Sequence, residues 1–127
     1  MQAPAMIEDA WISPLVERFY VRVRADPLLS PVFTEGVSDW ADHHHRLTDF
    51  WSSVMLSTGR YKGNPVALHM RLADLLTPER FDRWLELWRQ TSAEMLPPPA
   101  AAAVQAKADR IAESLTLAIR YRRPFAA

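Results

Sequence analysis

The stretch DFWSSVMLSTGRYKGNPVALHMRL, from Asp49 to Leu72, decides how the chain reads. It leaves the end of an apolar helix, crosses a loop, STGRYKGNP, that holds two of the three glycines, and enters a short helix begun by Pro65. Proline suits a first helical position, because the N–H it lacks has no partner there and its fixed φ is already helical. The short helix bears Leu68, His69 and Leu72, which leaves one histidine, His69, on its apolar side as a candidate metal ligand.

Outward from this stretch the chain reads as helix after helix. Upstream, Ser38 and Asp39 serve as cap and first-turn acid, and Trp40, His43, Leu47, Phe50, Trp51 and Val54 recur at three and four residues until the pattern ends near Gly59. Each helical residue turns about 100°. His43 therefore lies above Leu47, Phe50 and Val54, His44 points toward Trp40 and Trp51, and His45 faces away. Periodicity does not choose between His43 and His44. Earlier still, residues 5–12 read as a short helix, and Ser13-Pro14 as the cap and first position of another, whose inner face is Leu15, Val16, Phe19, Tyr20 and Val23. Asp26-Pro27 and Ser30-Pro31 interrupt the pattern, leaving PLLSPVF as an apolar turn or short helix.

Downstream, Thr77-Pro78 repeats the cap-plus-proline start, and Phe81, Trp84, Leu85, Trp88, Ser92 and Met95 share the face that follows. Pro97, Pro98 and Pro99 end that helix. A last one, about 100–121, places Val104, Ala108, Ile111, Leu115 and Ala118 on one side, with Tyr121-Arg-Arg-Pro as its stop. No segment alternates with period two, so the expected fold class is all-α.

Composition narrows the function. The 127 residues suit a single domain, 1–127, and 49% apolar content with zero formal charge argues against disorder and against a basic nucleic-acid surface. Without cysteine there are no disulfides, no thiolate metal sites and no covalent haem attachment through C-x-x-C-H. MQAPAMIEDAW lacks the pattern of a secretory signal, and no apolar run approaches the roughly eighteen residues of a membrane span, so a cytoplasmic protein without membrane partners is expected. No heptad seam signals a coiled-coil dimer, and a monomer is expected.

Hydrolytic chemistry finds little support. There is no Gly-rich nucleophile elbow, no phosphate-binding Gly-Lys loop and no H-E-x-x-H, and Glu17, Asp39, Asp42, Asp49 and Glu86 fall on polar faces where acids are ordinarily solvated. The run His43-His44-His45 cannot converge on one tetrahedral zinc, since adjacent helical side chains splay by about 100°. A lone apolar histidine such as His69 ordinarily bonds its neighbours, and Tyr20, Trp51, Trp84 and Trp88 are ordinarily core aromatics. Their combination shifts the balance toward a cofactor site: one histidine on a short helix after a loop, faced by inward polar tips from other helices.

At this level of detail the chain resembles the truncated haemoglobins of the third group. The resembling segments are FYVRVRADPLLSPVF (Phe19 to Phe33), DWADH (Asp39 to His43), DFWSSVMLSTGRYKGNP (Asp49 to Pro65), the H-x-x-L step from His69 to Leu72, and FDRWLELW (Phe81 to Trp88). The glycine pairs of the other truncated groups are absent. The resemblance implies a two-over-two helical sandwich around non-covalent haem b, with His69 as the proximal iron ligand. Tyr20 and Trp84 match the distal hydrogen-bonding pair and His43 the distal-helix histidine; Phe33, Phe50, Trp51 and Leu72 match positions that line the pocket. Two residues depart from the pattern: Ser30 stands where a glycine is expected and Ala73 where proline often follows the H-x-x-L step.

Several expectations follow from the resemblance. The free N–H of His69 needs an acceptor, and the Pro65 carbonyl one turn back is the natural candidate. Phe81 joins the apolar wall, and Arg46, Arg60, Tyr61, Lys62 and Arg71 are candidates for the propionates. The implied activity is reversible binding of dioxygen or another diatomic ligand, with a reductase partner to return ferric iron to ferrous. Two alternatives stand beside it: a haem enzyme acting on peroxide or nitric oxide, and a haem-free helical interaction module.

Overall fold

The computed structural model describes residues 7–121, so residue 5, where the first helix was expected to start, and the Arg122–Pro124 stop lie outside the described residues. Six α-helices follow one another: α1 (Asp9–Ala25), α2 (Ser30–Gly36), α3 (Trp40–Leu56), α4 (Pro65–Met70), α5 (Pro78–Met95) and α6 (Pro98–Arg120). The described residues form no strand, as the absence of period-two alternation predicts. α1 pairs with α3 and α5 with α6; contact between α1 and α5 joins the two pairs, α4 packs on α6 and α2 on α1. The result is two helices over two, with the short α2 and α4 at the sides.

Of the caps the sequence signals, Ser13, Ser38 and Thr77, only Thr77 serves as one, and side chains cap three of the six helices. Thr77 accepts from the Arg80 N–H at the start of α5, and Asn64 accepts from the Ala67 N–H just before Pro65, each satisfying an N-terminal donor that the helix cannot use. At α3 the cap is Asp39, not Ser38, with its Oδ1 taking the Asp42 N–H at 3.1 Å. α3 ends at Leu56 rather than near Gly59, because Ser57 takes the left-handed conformation, φ 57°, and its N–H closes on the Ser53 carbonyl.

The break expected at Ser13-Pro14 does not occur. α1 runs through Pro14 without interruption, although an interior proline forfeits one backbone bond and costs about 3 kcal/mol. Burial outweighs that cost. Ile12, Leu15, Val16 and Phe19, on both sides of the proline, are at most 1% exposed, and at about 1.5–3 kcal/mol for each large apolar side chain a continuous face is worth more than the lost bond. Met95 also departs from its expected place, being 40% exposed at the end of α5. Ser30, where a glycine was expected, sits at the start of α2 with φ below zero, so nothing in that turn demands glycine. The Ala73 N–H donates to the Met70 carbonyl at 3.3 Å, a bond that proline could not make.

Asp26 ties the first turn together. Its Oδ2 accepts from the Leu28 and Leu29 N–H groups at 3.1 Å and its Oδ1 from Arg83 Nε at 2.8 Å, while Arg83 also pairs with Glu86. Burial alone would raise the carboxyl's pKa; the Arg83 bond and the two N–H donors outweigh it and hold it below the usual carboxylate value. A depressed pKa makes the ionised form the stabilising one. Its contribution is complete above the unfolded-state value of 3.8 and is lost as pH falls through the lower folded value. Asp26→Asn should cost about 1–2 kcal/mol at pH 7, and the difference from wild type should shrink in urea titrations carried down to pH 2–3. A constant difference across that range would assign the effect to shape rather than charge.

Candidate functional site

One cavity of about 430 Å³ opens between the two helix pairs, within the roughly 300–1,000 Å³ span of small-molecule sites. Each element contributes for a local reason. α1 turns Tyr20 inward from the same face that buries Phe19 and Val23; α3 contributes His43, Leu47, Phe50 and Trp51 at helical spacing; α5 contributes Phe81 and Trp84. His69 and Leu72 come from α4 and the turn after it, since the short helix stops at Met70. Phe33 arrives on α2. All the residues singled out from the sequence, Tyr20, Phe33, His43, Phe50, Trp51, His69, Leu72 and Trp84, therefore line the same space.

His69 is fixed by its own helix. Its Nδ1 lies 2.6 Å from the Pro65 carbonyl, so the Nδ1–H donates there and Nε2 keeps its lone pair for another partner. The loop before α4 is held as well: the Tyr61 N–H donates to Ser53 Oγ at 2.9 Å, and Arg60 NH1 reaches both carboxylate oxygens of Asp9 at 2.9 Å and the buried Ser52 hydroxyl at 3.1 Å. A Cβ at Gly63 would meet the Tyr61 ring, which would have to shift to make room.

The three consecutive histidines separate completely. His44 turns to α1, its Nε2 3.1 Å from the Ser13 carbonyl. His45 is exposed and pairs with Asp49 at 3.5 Å. His43 alone faces the cavity, and its Nε2 is a buried polar atom with no hydrogen-bond partner among the described residues. Burial, with His69 and Arg46 adding to it, pushes its pKa down to about 4, so the imidazole is neutral near pH 7.

Tyr20, 8% exposed, stands edge-on to His43 at 5.4 Å. Burial raises its phenol well above the usual tyrosine value, and the Trp84 indole beside it opposes the rise. Behind Trp84 lies a stack of indoles: Trp84 parallel to Trp88 at 6.3 Å and 4°, and Trp88 on Trp51 at 4.4 Å and 19°.

Sequence reasoning passed over part of the lining. Ile111, Ala112 and Leu115 of α6 close one wall, and Leu29, Val32 and Val37 another. The first group had a signal, the i, i+4 pair Ile111 and Leu115, which reads as core before a cavity is known. The second lay within and just beyond PLLSPVF, where proline punctuation hides the pattern.

Comparison with known proteins agrees with this architecture. The model of a family described as bacterial-like globin matches residues 7–119. The group 3 truncated hemoglobin ctb of Campylobacter jejuni is 36% identical over 89 residues, 67% of this chain and 69% of that protein. The group 2 truncated hemoglobin YjbI of Bacillus subtilis is 34% identical over 80 residues, 62% of this chain and 60% of its own. The crystal structure of the group III truncated hemoglobin from Campylobacter jejuni superposes with a TM-score of 0.76 at 30% identity, covering 91% of this chain and 92% of that one. The chain therefore belongs to the bacterial-like globins, a family of haem proteins, and within them to the truncated haemoglobins of the third group.

Proposed function

We propose that the cavity holds non-covalent haem b with His69 as the axial ligand, and that the chain, acting as one globin unit over residues 1–127, reversibly binds dioxygen or another diatomic ligand there. The observation that carries this is the pinned imidazole. With Nδ1–H committed to the Pro65 carbonyl, the ring is held in one tautomer and orientation with Nε2 as donor, the arrangement that metal-bound histidines adopt. The rest of the donor set fits. The space has an apolar wall of Phe50, Trp51, Leu72 and Phe81, and His43 Nε2 is a buried nitrogen that lacks a partner among the described residues.

Haem supplies the iron centre at which a diatomic ligand binds; everything else is done by side chains. The apolar wall excludes water, which slows loss of the ferrous state and contributes most of the affinity for a flat apolar group. Of the five candidates for the propionate carboxylates, Arg46, Tyr61 and Arg71 line the cavity, Arg46 while also pairing with Asp42 at 2.9 Å, whereas Arg60 and Lys62 stand outside the lining. Carboxylate anchoring falls to the first three. On the opposite side the Tyr20 hydroxyl and the Trp84 indole N–H donate toward the negative charge that dioxygen acquires when bound.

At about 1 kcal/mol or somewhat more for each such bond, and tenfold for each 1.4 kcal/mol, Tyr20→Phe or Trp84→Phe should speed dioxygen release by about five- to tenfold, and the double variant by one to two powers of ten. Stopped-flow release from the ferrous protein measures this, and unchanged rates in both single variants would remove the polar pair from the account. The reading as a whole is tested by optical absorption of the protein expressed with haem supply, in ferric, ferrous and carbon monoxide-bound forms. A folded, helical chain that takes up no haem would instead be a haem-free interaction module.

A second reading has one observation in its favour. The neutral, unpartnered Nε2 of His43 beside the Tyr20 phenol can accept or relay a proton, which a haem enzyme acting on peroxide or nitric oxide requires. Turnover no faster than that of free haem would count against it.

A further inference from the structure

Nε2 of His43 has no hydrogen-bond partner among the described residues, so no such bond from the protein fixes its ring. Three aromatic neighbours box it in. Tyr20 lies at 5.4 Å and 85°, Trp40 at 5.4 Å and 88°, and Phe33 at 6.0 Å and 69°. Edge-to-face contacts of this kind are individually weak, and three of them around one imidazole fix its plane.

Two of the three, Tyr20 and Phe33, line the cavity themselves; Trp40 does not. It reaches the site only through the others, stacked on Phe33 at 6.0 Å, tilted against Tyr20 at 6.2 Å and perpendicular to His43. It is also the first residue of α3 and only half-buried. Helix ends open easily, so a ring placed there needs support from outside. Arg24, in the last turn of α1, provides it, with its guanidinium carbon 4.4 Å from the centroid of the Trp40 ring. Among the described residues Arg24 makes no ion pair, so its cation is left to the indole face. The attraction of a guanidinium for that face is electrostatic and strongest for tryptophan.

We propose that Arg24 and Trp40 are positioning residues, a cation–π brace between α1 and α3 that holds the His43 ring, and with it the polar side of the cavity, in one orientation. Its bearing on ligand binding rests on the haem reading above; the placement of the ring does not. The brace couples two helices that the sequence shows as separate patterns, through a pair sixteen positions apart.

The test reads the ring rather than activity. In protein labelled with carbon-13 at histidine, purified with haem supply and held in the diamagnetic carbon monoxide-bound ferrous form, His43 should give one resonance set with cross-peaks to Tyr20, Phe33 and Trp40. Arg24→Gln, an exposed change, should raise a second His43 population about two- to fivefold and weaken those cross-peaks. Trp40→Leu should do so more strongly, and Arg24→Lys, which keeps a cation, should restore most of the wild-type pattern. Unchanged His43 signals in both Arg24→Gln and Trp40→Leu would overturn the proposal, as would equal effects of Gln and Lys at position 24. A wild type without a Soret band would sink the haem reading instead. The same cross-peaks are then measured on the haem-free chain, so the two failures are told apart.

Discussion

Replacing His69 by alanine should remove the one-haem-per-chain Soret band, or reduce haem retention at least tenfold, while leaving the haem-free chain folded. The two halves of this expectation have different causes. Even the partners that merely orient a ligating histidine change metal affinity by about 10–100-fold when removed, so loss of the ligating nitrogen should do no less. The fold loses little by comparison. His69 is half-buried, and its one side-chain bond, Nδ1 to the Pro65 carbonyl, stays inside its own short helix. Alanine is the better helix former there, and a side chain with no long-range bond falls in the class whose replacement moves stability by about 0.5 kcal/mol or somewhat more. The measurement has a thermodynamic arm too. A ligand that binds only the folded state stabilises it by about 2.7 kcal/mol at a hundred times its dissociation constant, so added haem should raise the unfolding midpoint of the wild type and leave that of His69→Ala almost unmoved. Equal haem content in the two proteins would take the iron away from His69.

Why His69 could be picked out at all, while the histidine opposite it could not, is a matter of range. A cap that reads correctly, Thr77 before Pro78, closes within three residues, and the apolar faces of α1, α5 and α6 repeat within one or two turns. The choice between His43 and His44 depends on Ser13, thirty-one positions away, whose carbonyl takes His44 out of the cavity. Helical spacing sets the two rings about 100° apart and says nothing about which side the partner helix will occupy. Arg60 is similar. It read as one of five polar candidates near a pocket rim, and its commitment to Asp9, fifty-one positions away, holds it outside the cavity lining. The Ser13-Pro14 break failed for the opposite reason. The local signal was genuine, and a continuous buried face of Ile12, Leu15, Val16 and Phe19 overrode it. Local rules govern where a helix begins when nothing packs across the junction; here the core packs across it.

Trp88→Ala should be the most destabilising single change in the described chain, costing about 3–5 kcal/mol as large aromatic truncations in a core do. Three losses combine. The side chain is fully buried, so its removal leaves a void. The indole N–H donates to the Val104 carbonyl at 3.1 Å, a direct tie from α5 to α6 across their packed faces. The ring is also the middle member of the indole stack and meets Phe19 of α1 edge-on at 4.9 Å, so a single side chain touches both helix pairs. In a chain of this size such a loss should lower the thermal midpoint by about 10–20 °C. Trp88→Phe, which keeps a ring and drops the N–H, should lose markedly less. The site feels the change without being touched by it. Trp51 and Trp84 line the cavity and Trp88 does not, so removing the spacer between them frees Trp84 to shift. If Trp84 is positioned by this stack, Trp88→Phe should preserve the dioxygen release rate within about twofold, since the aromatic spacer remains. Trp88→Ala, measured below its own melting point, should release faster. Equal release rates in wild type and Trp88→Ala would mean that the Trp84 ring is held by its other neighbours, Phe19 among them at 5.8 Å, and that the stack serves stability alone.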